Sequence, residues 1–380
     1  FFVNYKVFNK VSSRDLFIKF IKVKKVICII ILCLQFNLVS QISSDNLDLA
    51  NKILQVDEKN ILRNSEFHNW GSSIIKGEDG KYHLFYAQMS KEIGFKSWLT
   101  DGIVSHAVSE NITGPYIHKE VVLKGRGPGF WDAYTAHNPR IKFFEGNYYL
   151  YYISTNTGER ILSDEEFDQS RNGVITNEFR ALVRMNQRIG VAVSKSVNGP
   201  WKRFDRPIVE PSGPIAQITC NPAVTQRPDG GYIMIIRGDK PNVKYANGKW
   251  PDHNELIRSQ AIALSNSPIG PWEIQPKPAV GNLNSEDPAI WYDAKRNRYY
   301  GIYHAFGYMG MITSSDGLNW DNAKHYKILD KALKKSDGTK ILANRLERPF
   351  IYVENGEPKA LTVAVLEKDK NSYSLFIPLK

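Results

Sequence analysis

The chain has 380 residues, of which 42% are hydrophobic and 23% are charged, a composition that indicates a folded protein and excludes a low-complexity one. Its formal net charge of +11 comes largely from residues 1–40, whose removal takes away seven basic side chains and one acidic side chain and leaves +5. The remaining sequence has no dense run of Lys and Arg interleaved with aromatic residues. We therefore expect no nucleic-acid partner.

Residues 1–40 have the organisation of a secretory signal peptide. Lysines at 19, 22, 24 and 25 precede the apolar run 26–34, and polar residues follow at 40 and 41. An apolar core this short does not reach the roughly 20 residues that a membrane-spanning helix needs. The pattern predicts a signal peptide over 1–40, a secreted or periplasmic domain over 41–380, and no membrane span after cleavage.

The start of the chain and the cysteines complete this interpretation. The first methionine is Met89, so the opening residues, to about 15, could be translated upstream sequence rather than native protein. Cys28 and Cys33 lie in the predicted signal peptide, which leaves Cys220 alone in the mature chain. The mature domain therefore has no intramolecular disulfide and depends on a hydrophobic core for its stability.

Two linked motifs recur along the chain in a fixed order. One is a strand that ends in small polar residues before Gly-Pro-aromatic, at 104–116, 191–201 and 261–272, with a degenerate copy at 311–320. The other precedes it and consists of a polar start, a strand, a turn containing Gly, Asn or Asp, and an aromatic strand. Its five copies begin at His68, His137, Asn221, Asn284 and Glu347. Five such units predict an all-β fold, a five-bladed β-propeller. A β-sandwich, the alternative, does not explain the fixed order of the motifs.

The ends of the repeat and two insertions add detail to this architecture. We expect the terminal strand at 373–377, or a strand near 51–63, to close the ring. Insertions at 156–188 and 239–256 interrupt blades two and three, and a short helix is expected in the first. Long loops on a compact fold are often functional. If both insertions rise on one face, they would form the walls of a pocket.

The polar starts of the inner strands are the candidate functional residues, because the innermost strands of a propeller run along its axis and should meet at one mouth of the channel. Acids among them are Asp132, Asp287 and Glu347. Glycoside hydrolysis needs a pair of carboxyl groups, one protonated and one ionised, and crowding of acids raises the pKa of at least one. The predicted catalytic residues are therefore Asp132, Asp287 and Glu347. The predicted substrate-binding residues are His68, Trp70, Trp131, Tyr134, His137, Asn138, Asn221, Glu286 and Arg348.

The motifs resemble those of the five-bladed β-propeller glycoside hydrolases, above all families 43 and 117. The segments that carry the resemblance are 131–139 (WDAYTAHNP), 285–290 (SEDPAI), 346–350 (LERPF) and the repeated Ser-x-x-x-x-Gly-Pro-Trp, within residues 60–380. The resemblance implies a secreted, exo-acting hydrolase of plant or algal oligosaccharides that inverts the anomeric configuration.

The chain departs from family 43 at two positions. That family has an Asp at the start of the first blade as base and a Glu at the start of the third as acid. Here these starts read Phe67-His-Asn-Trp and Thr219-Cys-Asn-Pro. We therefore assign the base to Asp132 or Asp287 and the acid to Glu347, with the roles open to exchange.

Several residues keep a second interpretation. Asp287 precedes Pro288 and could simply cap a turn, and Glu286 could point away from the axis because successive strand residues face opposite ways. His137 could be a buried structural histidine, a substrate ligand or an acid/base group. Arg348 could neutralise a neighbouring glutamate or bind an anionic sugar substituent through two hydrogen bonds.

Three functions are compatible with these residues. The first is the exo-acting glycoside hydrolase. The second is β-elimination or dehydration of a uronic-acid oligosaccharide, with His137 and Tyr134 moving protons and Arg348 holding the carboxylate. The third is a non-catalytic carbohydrate-binding propeller. The sequence has no dense metal-ligand motif, so no metal or cofactor is expected, while a single calcium or sodium ion in the channel stays open. It does not indicate an oligomeric state.

Overall fold

The computed structural model describes residues 43–173, 175–243 and 255–380. The predicted signal peptide lies outside these residues, as does most of the 239–256 insertion. The described helices are α1 (Asp164–Arg171), α2 (Asn177–Met185) and three 3₁₀ helices at Ala50–Lys52, Glu58–Asn60 and Phe95–Leu99. None of them is both long and apolar enough to cross a membrane.

Five antiparallel sheets form a ring, which confirms the predicted five-bladed propeller. The chain enters through a short strand, β1 (Ile61–Arg63). Blade one consists of β2 (Phe67–Lys76), β3 (Tyr82–Ser90), β4 (Ile103–Ser109) and β5 (Ile117–Leu123). Blade two consists of β6 (His137–Phe144), β7 (Asn147–Ser154), β8 (Arg188–Ser194) and β9 (Lys202–Arg203). Blade three consists of β10 (Ala216–Gln226), β11 (Tyr232–Asp239), β12 (Arg258–Ser265) and β13 (Glu273–Val280).

The last two blades complete the ring. Blade four consists of β14 (Ser285–Asp293), β15 (Arg298–Ala305), β16 (Tyr308–Ser314) and β17 (Asp321–Asp330). Blade five consists of β18 (Ala332–Lys334), β19 (Lys340–Glu354), β20 (Glu357–Glu367), β21 (Ser372–Pro378) and β1, in that hydrogen-bonded order. Both strands proposed to close the ring do so, because β1 pairs antiparallel with β21.

The second strand of each blade is buried on both faces, and β7 shows why its sequence is continuously apolar. From Tyr148 to Ile153, every side chain is at most 6% exposed. Tyr149 and Tyr151 pack with residues of blade three, whereas Tyr148 and Tyr152 pack with residues of blade one. Alternate side chains of one strand therefore serve the two neighbouring blades, and neither face needs polar residues.

Each innermost strand contains a β-bulge at the same place, and the bulge residue has a positive φ. These residues are Gly71 (45°), Asn138 (50°), Asn221 (52°), Asp287 (58°) and Arg348 (57°). The strand pairing shifts register at each of them. We call these five residues the axial ring. Gly, Asn and Asp tolerate this left-handed conformation well, whereas it is strained for arginine.

The axial ring corrects the predicted alignment of blade one. Trp70 and Gly71 occupy the places that His137 and Asn138 occupy in blade two. The sequence alignment instead matched His68 with His137, because both histidines are followed by asparagine. His68 therefore lies three residues before the bulge residue Gly71, and blade one supplies no polar side chain to the ring.

Replacing Gly71 with alanine is expected to destabilise the protein by more than the roughly 1–2 kcal/mol that a left-handed backbone costs. A Cβ atom at this position would lie 2.7 Å from the side-chain amide of Asn138. Gly146→Ala is the matched control, because Gly146 also has a positive φ of 71° but no atom within 4 Å of its Cβ position. Urea denaturation measures both. Equal losses of unfolding free energy would show that the contact with Asn138 has no cost.

The channel below the axial ring is crossed by the buried side chain of Arg140. Its Nη1 donates to the carbonyl of Ser72 at 3.1 Å, and its Nη2 donates to those of Pro349 at 2.8 Å and Pro288 at 3.4 Å. These acceptors belong to blades one, five and four. One guanidinium on the axis thus links the inner strands of three blades to blade two.

Candidate active site

The inner strands begin at one mouth of the channel, and the loops that surround this mouth join the second and third strands of the blades. The pairings that show this are Phe67 with Ser90, His137 with Ile153, Ala216 with Asp239, Ser285 with Ala305, and Ala343 with Glu367. Both insertions join a second strand to a third strand, so the ends of both are attached at this face, although residues 244–254 of the second lie outside the described residues. The first contains two helices rather than one.

Asp287 is a fully enclosed acid at the mouth, with no exposed surface. Its Oδ1 accepts hydrogen bonds from Asn221 Nδ2 and pairs with Arg348 Nη1, both at 2.6 Å, and its Oδ2 accepts the backbone N–H of Arg348 at 3.1 Å. Burial raises the pKa of Asp287, Arg348 opposes this rise, and the nearby Glu286 and Glu347 add to it. Asp287 is therefore suited to hold a proton.

Arg348 lies between two members of the axial ring. Besides its contacts with Asp287, it donates to the side-chain oxygen of Asn138, from Nη1 at 3.0 Å and from Nη2 at 3.2 Å, with the asparagine amide oriented to satisfy both groups. Asn138, Asn221 and Arg348 therefore form a polar belt around the carboxylate of Asp287. The expected polar convergence at the mouth is present for these residues.

Glu286 lies beside Asp287 but has a different environment. Its Oε1 is 2.5 Å from Arg258 Nε and 3.3 Å from Arg237 Nη2. Burial alone would raise the pKa of Glu286, but the charges of Arg258 and Arg237 hold it well below the usual range. This carboxylate stays ionised, and it faces the arginines of blade three rather than pointing away from the site.

Glu347 is paired with an arginine of its own strand. Arg345 donates to it twice, from Nε at 2.7 Å and from Nη2 at 3.0 Å. The guanidinium of Arg345 also lies over the rings of Phe95, at 4.8 Å, and Trp70, at 5.6 Å. The two-point pairing and the aromatic support fix the orientation of the Glu347 carboxylate.

The two histidines that the sequence singled out are both packed against aromatic residues. His68 Nδ1 lies 2.7 Å from Ser372 Oγ, and its ring meets the edge of Phe95. His137 Nδ1 lies 3.1 Å from Thr135 Oγ1, and its ring packs near Trp98. Burial and then the charge of Arg348 lower the pKa of His137 to about 3. His137 is therefore neutral at physiological pH.

The pKa of His137 predicts part of the pH dependence of stability. The unfolded chain binds a proton at this residue below about 6.5, but the folded chain binds it only near 3. Stability from this residue is thus complete above pH 6.5 and is lost as the pH falls towards 3. His137→Gln should reduce the pH dependence of the unfolding free energy across this interval, as measured by urea denaturation. Part of the dependence should remain because burial also lowers the pKa of His106, to about 4. An unchanged slope would contradict the shift.

Asp132 does not join the axial carboxylates. Its carboxylate is fully buried and contacts Arg126 Nε at 2.5 Å, Tyr152 Oη at 2.9 Å and Arg203 Nη1 at 3.2 Å. Arg203 belongs to the outermost strand of blade two. Asp132 precedes β6 in the connection that runs from the outer edge of blade one towards the axis, and it has not yet reached the axis. The prediction that Asp132 converges with Asp287 is wrong.

Trp131 and Tyr134 belong to the same connection and were also expected to flank the axial acids. Instead, Trp131 stacks on Tyr152, and Tyr134 stacks on Phe167 of α1 with its hydroxyl 2.8 Å from Ser170 Oγ. Both line a separate cavity of about 500 Å³ beside the first insertion. The aromatic residues that do lie at the axial mouth are Trp70, Phe95, Trp98 and Phe306.

Sequence reasoning found Arg348 but missed three other arginines and one histidine of the site. The missed residues are Arg237, Arg258, Arg345 and His304. One signal was available: Arg237 interrupts the buried apolar run of β11, and a charge in such a position needs a buried partner. Arg237 and Arg345 lie two residues before acids of their own strands, Asp239 and Glu347. Arg258 and Glu286 instead meet across two blades, where spacing in the sequence carries no information.

A metal site is the remaining possibility at the mouth. Atoms of Glu286, Asp287 and His304 lie within 4.8 Å of one another. Arg258 and Arg348 already contact these two carboxylates at 2.5 and 2.6 Å. A divalent cation would have to displace these guanidinium groups or share their oxygens against like-charge repulsion. Glu286, Asp287 and His304 are therefore better suited to pairing with the protein's own arginines than to binding a calcium ion.

Comparison with known proteins gives a result for the fold. No protein-family model and no curated protein matches the sequence. Among solved structures, Zg3597, a family 117 glycoside hydrolase from the marine bacterium Zobellia galactanivorans, is 16% identical, with a TM-score of 0.59 over 88% of this chain and 91% of that one. The likeness is one of fold. It confirms the resemblance to families 43 and 117 at the level of the five-bladed propeller.

Two other solved structures show the range of proteins with this fold. CoXyl43, a family 43 β-xylosidase/α-arabinofuranosidase from a compost metagenome solved with xylotriose, is 16% identical, with a TM-score of 0.52 over 84% of this chain and 95% of that one. A protein of unknown function from Dyadobacter fermentans is 12% identical, with a TM-score of 0.54 over 87% and 100% of the respective chains. At these identities, the likeness shows the fold alone, and the argument for an activity rests on the site.

Proposed function

We propose that this protein is an exo-acting glycoside hydrolase that releases terminal sugars from plant or algal oligosaccharides. One observation carries the proposal: Glu286, Asp287 and Glu347 come from two blades to one mouth of a propeller shared with glycoside hydrolases. The acids have different environments, as acid/base catalysis of glycoside hydrolysis requires.

The pKa shifts suggest how the roles divide. Asp287, whose pKa burial raises, is assigned as the general acid that donates a proton to the glycosidic oxygen as the C–O bond breaks. Glu347, oriented by Arg345, is assigned as the base that takes a proton from the water attacking the anomeric carbon. Glu286 stays ionised and increases the proton affinity of Asp287. The sequence had assigned the acid to Glu347 and the base to Asp132 or Asp287, with the roles open to exchange. This assignment is the exchanged one.

Enclosure of the acids supports exo action. The Asp287 carboxyl has no exposed surface and Glu347 is only 5% exposed, so an internal stretch of a long polysaccharide would not reach them readily. The 3₁₀ helix Phe95–Leu99 and the exposed ring of Phe306 stand at the mouth. A terminal sugar can enter such a recess, with aromatic rings available for stacking.

A substrate screen tests the proposed reaction. The purified protein is incubated with defined plant and algal oligosaccharides, and the products are followed by mass spectrometry and ultraviolet absorbance. Hydrolysis gives fragments whose masses sum to substrate plus one water, with no new chromophore. Fragments that sum to the substrate alone, with absorbance from a new double bond, would instead show elimination.

A non-catalytic sugar-binding propeller is the second candidate. It is favoured by one observation, that Glu286, Asp287 and Glu347 are each paired with arginine. Fixed ion pairs can present charges to sugar hydroxyls without moving protons. Equilibrium binding to an oligosaccharide that is never cleaved, even after prolonged incubation, would favour this candidate over the hydrolase.

We also propose that the protein acts outside the cytoplasm. The proposal rests on the basic and apolar pattern of residues 1–40. Expression of the full chain in a bacterial host, followed by N-terminal sequencing of the exported form, should give a start near residue 41. Retention of the uncleaved chain in the cytoplasm would contradict it.

A further inference from the structure

The axial mouth contains an unusual number of buried or half-buried arginines. Those that pair with its acids are Arg184, Arg237, Arg258, Arg345 and Arg348, and the acids are Asp239, Glu286, Asp287 and Glu347. Five guanidinium groups thus meet four carboxyl groups, one of which, Asp287, has a raised pKa. These described side chains together carry a net positive charge, although the mouth was first identified by its acids.

Arg258 and Arg348 each have a donor group left over. Arg258 uses Nε to contact Glu286, and Arg348 uses Nη1 to contact Asp287, and their side chains are 13% and 15% exposed. Among the described residues, Arg258 Nη1 and Arg348 Nε are buried and have no hydrogen-bond acceptor. Buried guanidinium donors are normally satisfied, so acceptor oxygens from a ligand are expected here.

The two arginines lie around a common point. The charges of both lower the pKa of Glu286, although Arg258 comes from blade three and Arg348 from blade five. The exposed ring of Phe306 lies 5.2 Å from the guanidinium of Arg258 and also packs near His304. A planar guanidinium held against an aromatic ring keeps its outer edge oriented for an incoming oxyanion.

We propose that the sugar recognised at this mouth carries an anionic group, a carboxylate or a sulfate ester, that binds between Arg258 and Arg348. The inference rests on the proposed function for what happens to the sugar, but the binding preference stands without it. The arginine charges repel an additional cation, and a neutral sugar offers them no opposite charge. An oxyanion instead supplies the acceptors that the free donors lack.

Anion binding would also prepare the acid. In the free protein Arg348 contacts Asp287 and lowers its pKa against the effect of burial. An oxyanion that draws Arg348 towards itself weakens this contact, so Asp287 binds its proton more firmly and can donate it to the glycosidic oxygen. The substrate group that gives specificity would thereby favour the protonated acid.

Calorimetric binding of monosaccharides tests the inference without requiring cleavage. The panel contains galacturonic, glucuronic and mannuronic acids, their methyl esters, the neutral hexoses and the 6-sulfated hexoses. At least one acidic sugar is expected to bind about tenfold more tightly than its neutral counterpart at low salt. A carboxylate ligand would show this against its ester, and a sulfate ligand against the unsulfated hexose.

Variants locate the effect. Arg258→Met and Arg348→Lys should abolish the preference, the latter because an ammonium keeps the charge but loses the planar fork. Arg227→Met is the matched control, since Arg227 lies in the β10–β11 turn at the opposite end of the channel and pairs with Asp229. Thermal unfolding confirms that each variant is folded.

The outcomes separate this inference from the proposed hydrolysis. If no acidic sugar in the panel binds more tightly than its neutral counterpart, or if Arg227→Met removes the preference as fully as Arg258→Met does, the inference is wrong. If the preference depends on Arg258 and Arg348 but no oligosaccharide is cleaved, the anion site stands and the hydrolase proposal fails.

Discussion

Glu347→Gln and Asp287→Asn are each expected to lower kcat by about 10²- to 10⁴-fold on any oligosaccharide that the protein cleaves. Glutamine preserves the shape of Glu347 but cannot accept a proton from water, and asparagine at Asp287 cannot donate one as a carboxyl group does. Initial rates with the cleaved substrate measure the effect. The asparagine at 287 also keeps a residue type that tolerates positive φ, which limits backbone disturbance.

Asp132→Asn provides the control for these variants. Asp132 is a buried carboxylate bound by Arg126, Arg203 and Tyr152 in blade two, so its loss should reduce stability while kcat of the folded fraction changes little. Circular dichroism and thermal unfolding establish the folded fraction. A loss of turnover in Asp132→Asn as large as that in Glu347→Gln would return Asp132 to the catalytic set.

Arg140→Met is expected to lower the free energy of unfolding by about 3 kcal/mol or more. Methionine fills much of the volume but leaves the buried carbonyls of Pro288 and Pro349 without this donor, whereas that of Ser72 keeps the hydroxyl of Thr362. Each unsatisfied buried acceptor costs about 1–3 kcal/mol, with partial relief if water enters. Urea denaturation gives the value directly.

Arg298→Met is the matched control for this prediction. Arg298 is also a strand arginine with two hydrogen-bond partners. These partners are the hydroxyls of Thr313, at 2.6 Å, and Ser43, at 3.0 Å, away from the axis. Its replacement should cost clearly less. If both variants lose the same free energy, Arg140 has no special role in joining the blades.

The architecture could be predicted because the same residue types recur at equivalent positions of the blades. Proline follows the bulge residue in four blades, at 139, 222, 288 and 349, and Gly-Pro precedes three outer strands. Blade one has neither proline nor a polar bulge residue, so His68 and Asn69 were mistaken for the equivalents of His137 and Asn138. A glycine serves there because only the backbone conformation is required.

The site could be predicted only in part. Asp287 and Glu347 were found because they belong to the repeat. Asp132 was grouped with them because it precedes a blade start, although the four residues 133–136 separate it from β6 and allow it to lie away from the axis. Arg258 could not be found, because it meets Glu286 across two blades and such an ion pair leaves no periodic trace.

The axial ring also suggests a route for changing the chemistry of the mouth. Its five bulges share one backbone conformation, and asparagine already occupies two of them, at 138 and 221. Aspartate is nearly the same shape and tolerates the same φ. Asn138→Asp or Asn221→Asp would therefore add a carboxyl group two blades or one blade away from Asp287 while the main chain stays in place. The propeller is thus a scaffold on which acids can be added one side chain at a time.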